Sequence, residues 1–242
     1  MFNISQVGKI LKATNRLNIP TEFNSTLPIT ITVKKQLNPI RYILQLGKKE
    51  VETKSYTPLE IGAKYKAQIN QTDSKIEIKN LTKLPNIFNK FPDTIQYSID
   101  DLLKDNPLES NKKYKNFLLN HLATCNSKDE FLFYSQLLLA FNQEIKHLFI
   151  KENNKKALIQ LKHKKRKITF YAFFENLGAI GGEIYLIDNI YLNLMVEFQN
   201  SLHLIQQNIN ELKGIIINSI TQEKIKPLFE ISENNTLLNI KA

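Results

Sequence analysis

Cysteine, arginine and glycine are all scarce in this chain, and each shortage removes a class of function. The one cysteine, Cys125, leaves no internal disulfide, and without a His or Asp partner in motif spacing it reads as a small, buried or half-buried thiol. Only Arg16, Arg41 and Arg166 are arginines, so the formal net charge of +10 rests on lysines. Lysine lacks the planar fork that grips base edges and phosphates, so nucleic acid is not the expected partner. No phosphate-binding Gly-x-x-x-x-Gly-Lys-Ser/Thr loop, His-Glu-x-x-His pair, Gly-x-Ser-x-Gly elbow or Cys-rich cluster occurs, which removes the common nucleotide, zinc and hydrolase chemistries. The histidines His121, His147, His163 and His203 lie far apart, and surface or capping roles explain Asp100, Asp101 and Glu109. The expectation is a protein that is not an enzyme and holds no cofactor or metal. Long hydrophobic runs are missing too: residues 131–141 cover about half a membrane crossing and include Ser135 and Gln136, so no transmembrane helix is expected. The N-terminal residues lack a basic stretch followed by an apolar core, and a cytoplasmic location is expected.

What is present is enough apolar material for a sizeable core, 42% of 242 residues. Up to about residue 78 the pattern is one of short strands: 8–13, 29–33, 41–46, 50–56, 64–69 and 75–78, separated by turn chemistry such as Gly47-Lys48-Lys49. This predicts a small, closed or nearly closed barrel over residues 1–80. Such a barrel with basic loops suggests an OB-like nucleic-acid module as the alternative function, although Tyr42, Tyr56 and Tyr65 sit singly on different strands. Residues 81–155 form a connector and helices. A short helix is expected from Ser98, a second over 111–124, and a third behind the capping box Ser127-Lys-Asp-Glu130. Its apolar stripe runs Phe131, Tyr134, Leu138, Phe141, Ile145, Leu148; it predicts a helix over 131–148, broken at Asn153-Asn154, which a structural adaptor would offer to a groove.

Residues 156–242 return to alternation. A strand over 157–161, the basic turn 162–167 with Lys164, Lys165 and Arg166, and a strand over 168–174 make one hairpin. Residues 177–187 then hold three of the seven glycines, Gly178, Gly181 and Gly182, ahead of a strand over 183–187. A second hairpin turns at Asp188-Asn189, with Leu192, Leu194 and Val196 on one face and Tyr191, Asn193 and Glu197 on the other; Met195 is the apolar exception on that second face. Asn200 or Ser201 is the expected cap of a helix that Gly214 ends, followed by a buried strand over 215–220 and a short hairpin from 228–231 and 237–240. The fold class is therefore α+β: a small β-barrel-like unit, central helices, and a mostly antiparallel sheet with one packed helix.

The order of strand, Leu177-Gly178, strand Glu183-Ile-Tyr-Leu-Ile187, strand Ile190-Tyr-Leu-Asn-Leu-Met-Val-Glu197, helix 201–213 and strand from Ile215 resembles the C-terminal domain of flagellar hook-length control proteins. Residues 41–62 are similar to a small β unit ahead of that domain in some relatives. Phe174 stands where the family motif has proline, Gly181 and Gly182 are additional, and the family's long Pro- and Gln-rich half has no counterpart in these residues. The resemblance implies a regulator of flagellar type III export that sets hook length or switches substrate class. It would bind the cytoplasmic domain of the export switch protein, with hook or hook-cap proteins as further partners, and be itself exported through that apparatus. The binding residues it implies are Leu177, Gly178, Ile180 and Gly182; the basic run with Lys164, Lys165 and Arg166 reads first as a solvated hairpin tip and, in the alternative, as charges that steer an acidic partner.

Overall fold

A computed structural model describes residues 27–72, 75–85, 88, 96–97, 111–152 and 155–231. The expected strands at 8–13 and 237–240, the helix from Ser98, the break at Asn153-Asn154, and Asp100, Asp101 and Glu109 lie outside the described residues.

Five strands form the first sheet: β1 (Ile29–Asn38), β2 (Arg41–Leu46), β3 (Lys49–Lys54), β4 (Lys64–Thr72) and β5 (Lys75–Lys83). They pair antiparallel in the order β3-β2-β1-β4-β5. β3 and β5 end that order, so among the described residues the five strands form an antiparallel sheet with two edges. Alternation puts Ile31, Val33, Tyr42, Leu44, Leu46, Tyr65 and Ala67 into one core. Tyr42 and Tyr65 turn their hydroxyls to the N–H groups of Leu59 and Glu60, while Tyr56 is 87% exposed. The three tyrosines therefore share no stacking face.

The second sheet has seven strands, in the order β12-β11-β10-β9-β8-β7-β6. They are β6 (Gln96–Tyr97), β7 (Ile145–Glu152), β8 (Lys155–Lys164), β9 (Lys167–Phe174), β10 (Gly178–Leu186), β11 (Ile190–Val196) and β12 (Ile216–Gln222). The middle of the sheet is a run of antiparallel hairpins, and only the β6–β7 and β11–β12 pairs at its ends are parallel. Two helices, α1 (Asn111–Thr124) and α2 (Lys128–Asn142), pack on each other and on the β7 end. A third, α3 (Gln199–Gln207), makes the crossover that lets β12 run parallel to β11.

Several boundaries differ from expectation for local reasons. Ser127 does cap α2, its hydroxyl accepting from the Glu130 N–H, but the Glu130 carboxylate reaches the N–H of Asn126. The helix stops at Asn142 because Glu144 takes a left-handed φ of 66°, and Ile145 and Leu148 belong to β7. Intervals of three and four residues fitted a helix there, yet Ile145, His147 and Phe149 alternate with Leu148 and Ile150, all buried, as on a strand covered on both faces. All three glycines of the 177–187 stretch lie inside β10, not ahead of it. The N-cap of α3 is Phe198, with no side-chain cap bond, since the Ser201 hydroxyl is committed elsewhere. β12 is an edge strand, half-exposed and not buried. Residues 228–231 form no strand.

Candidate functional site

The Leu177-Gly178 corner joins β9 to β10, with Phe174 opposite Gly178 in the ladder. Three connecting residues followed by a left-handed glycine, φ 77°, is a favoured way to close such a hairpin. Phe198, fully buried at the start of α3, lies over Gly178: a Cβ there would come within 2.4 Å of its ring. Ser201 donates its hydroxyl to the Leu177 carbonyl at 2.8 Å, so the helix start and the corner are locked together. A Cβ on Gly182 would lie 2.1 Å from the Asn193 carbonyl oxygen, which explains that glycine by close strand approach.

Leu177, Gly178, Ile180 and Gly182 are all buried. Lys164, Lys165 and Arg166 are exposed at the opposite end of β9, on the β8–β9 turn. Eight strand residues separate the two groups, roughly 27 Å of extended chain. The seven candidate residues thus form a sealed corner and a free tip, not one surface.

The first sheet meets the larger one beside the corner. Thr82 donates to the Glu197 carboxylate at 2.6 Å, and the Gln68 amide donates to Asn200 at 3.0 Å. Glu197 is 7% exposed, and burial holds its carboxyl above the usual range while the Thr82 bond and the charge of Lys224 pull the other way. Lys66, 3% exposed, is lowered by burial to about 8, with the negative charge of Glu175 opposing the shift. These groups make the junction polar and sensitive to charge.

A second buried feature crosses the other end of the molecule's core. Directly paired residues project from the same face of a sheet, so His147, Gln160, Tyr171, Gly181 and Met195 form one row across β7 to β11. Residues 223–231 run over this row as an irregular strap. A Cβ on Gly181 would meet the Ile225 side chain at 2.9 Å. Gln160 acts on the strap as a surrogate peptide group: its oxygen accepts the N–H groups of Leu228 (2.8 Å) and Phe229 (3.2 Å), and its nitrogen donates to the Phe229 carbonyl (2.7 Å). These bonds fix the amide orientation, leaving its second N–H for His147 Nε2 at 2.9 Å. His147 is therefore neutral with its proton on Nδ1, and burial draws it down to about 3. The strap ends in a small cluster of Phe229 with Ala140 and Ile145. α2 lies on this same face, since Phe133 meets Phe149 at 5.5 Å.

Gln160, His147, Phe198, Glu197 and Lys66 were not among the candidate residues. Gln160 did carry a signal, as the one polar residue in the run Ala157-Leu-Ile-Gln-Leu161. Cys125 is half-buried, its thiol toward the Leu122 carbonyl, and among the described residues no group of histidine, cysteine and acidic side chains could hold a metal. No helix among the described residues is long and apolar enough to cross a membrane.

The fold thus defines an α+β protein with two sheets that meet at Glu197 and Asn200, beside a buried hairpin corner, with a basic tip at the far end of the larger sheet. Set against protein-family models, curated proteins and solved structures, the chain matches none.

Proposed function

We propose that the chain regulates flagellar type III export, controlling hook length or the switch of substrate class through contact with the cytoplasmic domain of the export switch protein. The observation that supports this is the uninterrupted order β9, Leu177-Gly178 corner, β10, β11, α3, β12. The resemblance calls for that order, and the corner is built as a structural unit, with Ser201 and Phe198 of the helix start closing it. Regulation of this kind needs no chemistry in the chain itself. Binding energy at its surface shifts a conformational equilibrium in the partner, to the extent that the partner's two states bind differently. Buried as they are, Leu177 and Gly178 serve this role by holding β9, β10 and α3 in place.

On this reading, deletion of residues 156–242 in the native cell is expected to give overlong hooks and to block filament export. Hooks of normal length bearing normal filaments would overturn the proposal.

A further inference from the structure

The end of the larger sheet remote from the Leu-Gly corner carries a stacked pair of tyrosines. Tyr185 and Tyr191 are directly paired across β10 and β11 and stack, with ring centroids 5.5 Å apart and planes at 15°. Their hydroxyls are anchored: Tyr191 donates to Asp188 at 2.9 Å, and Tyr185 accepts from Asn218 at 3.1 Å. The rings are thereby presented half-exposed in one orientation, at little further cost in side-chain entropy when something binds. Ile187, 68% exposed, and Ile216, 46% exposed and paired with Tyr191, flank them.

The basic tip adjoins this pair. Lys167 is the ladder partner of Tyr185, and the Leu186 N–H donates to the Arg166 carbonyl at 3.0 Å, so the β8–β9 and β10–β11 turns lie side by side. Lys167 pairs with Glu183. Lys164, Lys165 and Arg166 are exposed and have no ion-pair partner among the described residues. The acid at the rim, Asp188, already accepts from Tyr191 and from the Asn189 N–H.

We infer that this end of the sheet, centred on Tyr185 and Tyr191 with Lys164, Lys165 and Arg166 at its rim, is the docking site for an acidic segment of a partner protein carrying an aromatic or aliphatic anchor. The charge fixes the sign of the partner, and the centre fixes its class. Aromatic and aliphatic side chains inside a charged rim are the anatomy of a protein interface, where tyrosine contributes heavily. A single-stranded nucleic acid would satisfy the lysines and stack on one ring face; the two exposed isoleucines favour an anchor that is itself an aliphatic or aromatic side chain. The inference deepens the export-regulator reading and rests on it only for the partner's identity.

The test measures anisotropy of a labelled glutamate–tyrosine copolymer titrated with the full chain, with polyglutamate and oligouridylate as comparison probes. The copolymer is expected to bind more tightly than either. The charge-reversed variant K164E/K165E/R166E is expected to weaken copolymer binding by about ten-fold or more, and Y185A/Y191A to abolish the preference for copolymer over polyglutamate. Thermal unfolding checks that Y185A/Y191A still folds; the exposed turn variant carries the test if it does not. Unchanged affinity in the charge-reversed variant, or oligouridylate binding more tightly than copolymer and lost in both variants, would overturn the inference. Hook lengths separate it from the export reading: copolymer binding that depends on these residues, in a cell whose hooks stay normal when residues 156–242 are deleted, upholds the site and removes the flagellar partner.

Discussion

A methyl group on Gly178 has nowhere to go. Phe198 is fully buried, so its ring cannot swing aside, and φ of 77° is itself costly for any residue with a Cβ. Gly178→Ala is expected to cost about 2–4 kcal/mol, the sum of the left-handed strain and the displaced ring. The two contributions separate in a double-mutant cycle. Phe198→Leu removes the ring edge that the methyl meets, so in that background Gly178→Ala should cost less by about 1 kcal/mol or more, read from urea unfolding. Strict additivity would mean that the ring does relax and that the glycine is required for its backbone angle alone.

At the level of elements, the strap is held by a side chain and not by a ladder. Gln160→Leu keeps the shape but leaves the strap's Leu228 N–H, Phe229 N–H and Phe229 carbonyl without their partner. It is expected to destabilise the protein by about 3 kcal/mol or more, with hydrogen exchange accelerating first at residues 225–229. A loss below about 1 kcal/mol would mean that the apolar contacts of Ile225 and Phe229 hold the strap by themselves. The strap also marks where legibility from sequence stops. The succession β9 to β12 and the start of α2 could be read because each element carries its own period or capping residues. Residues 223–231 carry neither, since their partners lie 68 or 69 positions away in Gln160. The β7 strand was missed for a related reason: buried on both faces, it shows a run of apolar residues whose spacing also fits a helix. Of the candidate site, the exposure of Lys164 to Arg166 was legible from charge alone, whereas the burial of Leu177 and Gly178 depends on the start of α3, whose Phe198 and Ser201 close over them. Tyr185 and Tyr191 sat on different strands, and only the register of β10 and β11 brings them together.

For the whole molecule, the junction of the two sheets titrates. Lys66 has a folded-state value near 8 against 10.5 when free, so the folded state disfavours its charge. Stability therefore rises as pH climbs from about 8 to 10.5 and is lost again on the way down, by about 3 kcal/mol for this group. Lys66→Met is expected to be more stable than the parent at pH 7 and to lack that alkaline gain, as followed by urea unfolding at a series of pH values. Parallel pH profiles for the two proteins would show that Lys66 reaches water in the folded state. The strap imposes a different ordering, in time. During synthesis Gln160 and His147 emerge well before Leu228 and Phe229, and at ordinary elongation rates the interval is roughly 3–14 s. Until the strap arrives, both polar side chains favour hydration, which opposes closure of that row of the sheet. The strap is consequently the last part of this face to close, after every strand of the sheet has been made.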